Sequence, residues 1–100
     1  MKSAQVEGDI AEAIKVAPKN AYLFYNRGNL YAAAKNYSRA IDDYSRAIEI
    51  DPNFAEAYLN RGLARCYSGK TTDGLHDFSK AGELGLYNAY AISKQLSRKK

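Results

Sequence analysis

The sequence predicts an all-α protein in which antiparallel helix hairpins are stacked in a line, and three observations predict it. First, residues recur at an interval of 34: Pro18 and Pro52; Ala13, Ala47 and Ala81; Asp9, Asp43 and Asp77; and the tripeptide Asn26-Arg27-Gly28, which returns as Asn60-Arg61-Gly62. A fixed period of this length is one supersecondary unit copied along the chain. Second, apolar residues recur at three- and four-residue steps, as in Ala40, Ile41, Tyr44, Ala47 and Ile48, the stripe of a helix that faces a core. Third, no alternating apolar and polar run is bounded by hairpin-turn residues, so no strands are expected. Repeats stacked in a line build an extended surface rather than a deep reaction pocket.

The elements follow in order from their breakers and caps. A helix over about 3–16 carries Ile10, Ala13 and Ile14 on one stripe and ends at Pro18. Asn20 can cap a second over 21–34, and Asn36 a third over 37–50. Pro52 stops the third, and Asn53 offers a cap for a fourth over 55–68. Thr71 or Thr72 can cap a fifth over 72–84, closed by Gly85. A sixth is expected over 87–97, with a basic tail at 98–100. The connections are short, so neighbouring helices should be antiparallel.

The bulk numbers fit one small folded domain over residues 1–100. The apolar fraction of 46% is that of a folded chain. No apolar run reaches the roughly 20 residues that span a bilayer, so no membrane insertion is expected. Met1 to Gln5 lack the apolar stretch of a signal peptide. The compartment is left open, with a cytoplasmic one slightly favoured. The net charge of +4 equals the contribution of Lys94, Arg98, Lys99 and Lys100. A short basic end is not a basic stripe along a fold, so nucleic acid is disfavoured as a partner. Cys66 is the single cysteine and cannot form an internal disulfide.

Aligning 21–54 with 55–88 shows what the period preserves: Ala21/Ala55, Gly28/Gly62, Asp43/Asp77, Ser45/Ser79, Ala47/Ala81 and Glu49/Glu83, with Phe24/Tyr58, Ile41/Leu75 and Tyr44/Phe78 as conservative pairs. Gly28 and Gly62 lie mid-helix, where glycine costs about 1 kcal/mol relative to alanine. Close approach of a neighbouring helix would offset that cost. Ala40 and Ala47 present small surfaces, and Phe24, Tyr31 and Tyr44 fill the space beside them. Gly74 and Gly82 weaken helix 72–84, so the C-terminal unit is expected to exchange its amides faster than 37–50.

These residues resemble the tetratricopeptide repeat, a helix–turn–helix unit with the same period. Residues 21–54 match its pattern at Phe24, Gly28, Tyr31, Ala40, Tyr44, Ala47 and Pro52. Residues 55–86 match at Tyr58, Gly62, Phe78 and Ala81 and depart at Arg65, Gly74 and Leu86, a degenerate repeat. Residues 3–20 look like the second half of a unit, and 87–97 like a terminal capping helix. The RNA-binding pentatricopeptide family is disfavoured by its different period. The resemblance implies a short right-handed α-solenoid of about six helices. It also implies that helix 3–16 lacks its hairpin partner. The chain is therefore expected to be a fragment of a longer protein, or to cover that edge in a homodimer.

The resemblance further implies a concave groove. On its first helix the groove positions are Tyr22, Tyr25, Asn26, Asn29, Ala32 and Ala33; on the equivalent helix they are Glu56, Leu59, Asn60, Leu63, Cys66 and Tyr67; the last helix adds Tyr90, Ser93 and Lys94. An asparagine amide both donates and accepts, so Asn26 and Asn60 could form a ladder along an extended peptide. Some members of the family grip a C-terminal carboxylate with two lysines, two asparagines and an arginine. Asn29 and Asn60 match the asparagines, but Tyr25 and Tyr90 stand at two of the cation positions and Lys94 alone remains. A chaperone-tail clamp is therefore not expected, and polar-aromatic recognition is.

Arg27 and Arg61 occupy a position that is usually apolar. Each could pair with the aspartate that precedes it in the period, Asp9 or Asp43, or with the one that follows it in its own unit, Asp43 or Asp77. If exposed, such a pair contributes no more than about 1 kcal/mol. Gly69-Lys70-Thr71 ends like a phosphate loop, but Ala64 stands where glycine is required and no strand precedes it. Cys66 and His76 fall on different faces with no third group to orient them, and His76 should face solvent. One histidine and one cysteine leave no metal set, and no cofactor is expected. The expected function is binding a peptide or extended segment of a partner protein, without enzymatic activity. The alternative is a structural or self-association role within a longer repeat protein.

Overall fold

The computed structural model describes residues 2–86, and they form helices with no strand among them. The order is α1 (Lys2–Val16), α2 (Ala21–Ala33), α3 (Tyr37–Ile50), α4 (Ala55–Tyr67) and α5 (Thr71–Glu83). The expected sixth helix lies outside the described residues. Helices α2 and α3 form one hairpin, α4 and α5 form the next, and α3 packs on α4 to join them. The result is an elongated α-solenoid of 43 × 26 × 17 Å.

Local chemistry places the ends. The Asn20 side chain accepts a hydrogen bond from the Tyr22 amide at 3.0 Å, and Asn36 accepts one from the Arg39 amide at 3.4 Å. Both are the expected N-caps. Two other expectations are corrected. Asn53 does not cap α4: its own amide donates to the Asp51 side chain at 3.1 Å, and Phe54 takes the cap position with its ring in the core. Neither Thr71 nor Thr72 caps α5, because the helix begins one residue earlier, with Lys70 at the cap and no side-chain bond.

The C-terminal ends of α2 and α4 repeat one device. The Asn36 amide donates to the Tyr31 carbonyl at 2.8 Å, and the Lys70 amide to the Arg65 carbonyl at 2.7 Å. Each bond needs a left-handed residue just before its donor. Gly69 takes that conformation at φ +89°, and Lys35 adopts it at φ +62° despite its side chain.

Close helix approach accounts for the mid-helix glycines. A Cβ on Gly28 would sit 2.7 Å from the Tyr44 ring, and one on Gly62 would sit 2.7 Å from the Phe78 ring. Those rings fill the hairpin interiors, and Tyr44 and Phe78 are fully buried. Around them lie Phe24, Ala40, Ala47, Ala57, Ala64 and Ala81, all buried. Within the described core, Phe24, Ala47, Phe54 and Ala57 pack together, as do Ala40, Tyr44 and Ala64, and Tyr25 packs against both groups. Tyr31 and Tyr58 are half-buried, and Pro52 lies exposed in its turn.

Candidate functional site

The surface shared by α2 and α4 is built on an aromatic row. Tyr22 meets Tyr25 edge-on at 6.4 Å, and both rings lie against Phe54, at 5.0 and 4.8 Å. Tyr25 continues to Tyr44 at 6.0 Å. Further along, Tyr67 stacks on Tyr37 at 5.6 Å with 25° between the rings. Tyr22 and Tyr67 stay 65% and 70% exposed, so their faces are available to a ligand.

Between these aromatic groups lies a polar cluster. The Tyr44 hydroxyl donates to Asn29 Oδ1 at 2.6 Å. Asn60 Nδ2 donates to the same Oδ1 at 2.9 Å and to the Tyr25 hydroxyl oxygen at 3.1 Å. Burial, reinforced by Tyr25, pushes the Tyr44 phenol well above its ordinary value, so it stays protonated and donating. Asn29, Asn60 and Tyr44 then form part of the wall of a cavity of about 220 Å³, completed by Ala32, Tyr37, Leu63, Ala64 and Tyr67.

The groove residues expected from sequence are therefore only partly brought together. Tyr25, Asn29 and Asn60 form one cluster, and Leu63 and Tyr67 line the adjoining cavity. Asn26 and Glu56 are exposed and Leu59 is half-buried, none of them in that cluster. Asn60 reaches Tyr25 and Asn29, which lie one helical turn apart on the same face of α2. Cys66 leaves the groove, because a Cβ on Gly74 would lie 2.5 Å from its Sγ, which places the thiol against α5. Its pKa is raised by burial. Tyr90, Ser93 and Lys94 lie outside the described residues. His76 is exposed.

Three contributors were not legible beforehand. Tyr37 opens α3 where the next repeat has Thr71, and Phe54 stands where the previous unit has Asn20. Both are breaks in the repeat period, and such breaks were the available signal. The third is the hydroxyl of Tyr44, whose ring sequence reasoning placed in the core.

Away from the groove, each arginine pairs with the aspartate that follows it in its own unit. Arg27 Nε and Nη2 donate to Asp43 at 2.8 and 2.9 Å. Arg61 makes the same bidentate pair with Asp77 at 2.9 and 2.8 Å, and its Nη1 donates to Ser45 of the preceding unit at 3.1 Å. Arg65, a departure from the repeat pattern, adds a third bond to Asp77 at 2.8 Å. The pair with Asp43 raises the Arg27 pKa and so holds its charge.

Family models described as tetratricopeptide repeat match residues 21–54 and 44–76. The chain belongs to the tetratricopeptide repeat family. As a member, it is 34% identical over 84 residues to the small glutamine-rich tetratricopeptide repeat-containing protein 2 of Saccharomyces cerevisiae, covering 84% of this chain and 24% of that protein. It thus spans about a quarter of that relative's length. Among solved tetratricopeptide structures, the Arabidopsis OM64 TPR domain superposes with a TM-score of 0.89 at 27% identity, covering 98% of this chain and 82% of that one. The second TPR of Spaghetti (RPAP3), bound to the HSP90 peptide SRMEEVD, superposes with a TM-score of 0.80 at 29% identity, covering 83% of this chain and 77% of that one.

Proposed function

We propose that this tetratricopeptide chain is a protein-interaction module that holds an extended segment of a partner protein along α2 and α4. The observation that carries this reading is the Tyr25–Asn29–Asn60–Tyr44 cluster beside an aromatic-walled cavity on one face. Aromatic faces and half-buried amides give a ligand contact area together with directional hydrogen bonds. The peptide held by the RPAP3 domain supports it as a precedent in a related fold. The role is binding rather than catalysis, since a stacked pair of hairpins offers a surface and not an enclosed reaction site.

Titrating the isotopically labelled chain with a library of seven-residue peptides, followed by amide NMR shifts, tests this. Shifts concentrated on residues 22–33 and 55–67 are expected. Shifts confined to α1 or α5, or none with any peptide, would remove the groove from consideration.

A second reading is favoured by α1, which leaves Val6 44% and Val16 81% exposed. In it, α1 packs on another chain segment, a second copy included. Sedimentation velocity of the wild type against Val6→Ser/Val16→Ser checks it: a concentration-dependent dimer abolished by the double substitution supports self-association, and a monomer throughout removes it.

A further inference from the structure

We propose that α1 docks one arginine-bearing helix of a partner protein, whose guanidinium pairs with Asp9 while small residues beside it close on Val6, Ile10 and Ala13. This proposal rests on reading α1 as a helix that packs on another chain segment, and it specifies that segment.

The argument comes from equivalent positions. The 34-residue period sets Val6, Asp9, Ile10 and Ala13 level with Ala40, Asp43, Tyr44 and Ala47 of α3, and with Gly74, Asp77, Phe78 and Ala81 of α5. In α3 and α5 all of these positions are buried. They form the face on which each hairpin closes: Tyr44 lies against Gly28, Phe78 and Gly74 against Gly62, and the aspartates against Arg27 and Arg61. In α1 the same face is open. Val6 is 44% exposed, Asp9 is exposed, and Ile10 and Ala13 are half-buried. A different stripe holds α1 to α2, with Ile14 packed against the cluster of Phe24, Ala47, Phe54 and Ala57.

Asp9 determines what can cover that face. The equivalent aspartates are both neutralised, Asp43 by two bonds from Arg27 and Asp77 by three from Arg61 and Arg65. Among the described residues, none is bonded to Asp9. A wholly apolar helix laid over the face would strand its carboxylate away from water, at high cost. A guanidinium offsets that cost best, because it donates two parallel N–H bonds to one carboxylate. The helices that cover this face in the two hairpins share a pattern. Their arginine is followed directly by glycine and, four residues after the glycine, by another small residue: Arg27-Gly28 with Ala32, and Arg61-Gly62 with Cys66. Ile10 is shorter than a tyrosine ring, so alanine fits opposite it as well as glycine.

A second copy of this chain meets the requirement poorly. Its α1 would bring another Asp9 to the interface, and the face over 6–13 carries no cation. Its Arg27, Arg61 and Arg65 are already held by Asp43 and Asp77. The occupant is therefore a helix of a different protein, with an arginine not yet paired.

The probe is a synthetic peptide copying residues 53–70 with Cys66→Ser, titrated into the isotopically labelled full chain and followed by amide NMR shifts. A second peptide carries Arg61→Gln and Arg65→Gln as well. Shifts centred on residues 5–16 are expected, with the arginine peptide binding about tenfold more tightly, the value of a charge-assisted hydrogen bond. Asp9 is exposed, so Asp9→Asn leaves the fold intact, and on that variant the two peptides should bind alike. Val6→Ser should weaken both peptides equally. Equal affinity of the two peptides for the wild type would overturn the arginine requirement while leaving α1 as a docking face. A concentration-dependent dimer that Val6→Ser/Val16→Ser abolishes would overturn the assignment to a different protein. No shift in α1 with either peptide would overturn the proposal together with the reading of α1 on which it rests.

Discussion

At the scale of single residues, Asp77 is the polar group on which the second repeat depends most. Its carboxylate is 5% exposed and receives three N–H bonds from two arginines, whereas Asp43 receives two from one. Charge-assisted, bidentate pairs of this kind are strong, and removing one partner strands the other. Asp77→Ala is expected to destabilise the fold by about 3 kcal/mol and Asp43→Ala by about 2 kcal/mol, measured by urea unfolding. Equal losses would show that Arg65 contributes nothing. Tyr44 makes a second residue-level prediction. Its folded pKa lies above the ordinary tyrosine value near 10 because burial disfavours the phenolate. A raised folded pKa means stability is intact below the unfolded value and is lost as pH rises beyond it. Thermal unfolding should therefore fall above about pH 10, and Tyr44→Phe should flatten that fall. An identical alkaline profile in the variant would assign the loss to other groups.

At the scale of elements, the glycines of α4 and α5 are instructive. Gly74 replaces the alanine of the first unit, Ala40, and on propensity alone the change weakens α5 by about 1 kcal/mol. In the structure a Cβ there would lie 2.7 Å from the Gly62 carbonyl oxygen and 2.5 Å from Cys66 Sγ. Helices α4 and α5 therefore cross glycine on glycine, closer than alanine permits. Gly74→Ala is expected to destabilise by about 1–3 kcal/mol through overpacking rather than gain helix propensity, read as a lowered unfolding midpoint. The departures at Arg65 and Gly74 marked the second unit as degenerate; their contacts show each filling a definite place. Arg65 adds a donor to Asp77, and Gly74 admits the closer crossing.

For the molecule as a whole, stability is set by neighbour contacts along the stack. Helix α3 packs on α4, and Arg61 reaches Ser45 while Asn60 reaches Asn29 and Tyr25, so the two hairpins are joined by directional bonds as well as by packing. Helix α1 packs on α2 and buries none of its described side chains fully. Hydrogen exchange should therefore be faster in α1 than in α3, since local opening is governed by how much is buried. Protection of α1 equal to that of α3 would mean that another chain covers it. The same data decide the expectation for helix 72–84. Glycine propensity predicts exchange faster than in 37–50; the close crossing with α4 predicts protection at least as great.

The sequence by itself determined the helical repeat, its register and its hairpin interiors. The repeat period carries small and aromatic residues to equivalent positions, and packing at each depends on neighbours within the same unit. Gly28 against Tyr44 and Gly62 against Phe78 were legible for that reason. The tertiary structure alone decided which of several partners each polar side chain takes and which side chains enter the groove. It set Asn60 against Asn29 and Tyr25, and it paired Arg27 with Asp43 and Arg61 with Asp77, the aspartate that follows each arginine rather than the one that precedes it. It brought Phe54 and Tyr37 into the groove and turned Cys66 away from it. The offset between stacked hairpins settles the contacts that cross units, such as Asn60 with Asn29 and Tyr25 and the Phe54 ring with Tyr25, and a periodic pattern records what repeats but not the offset between its copies.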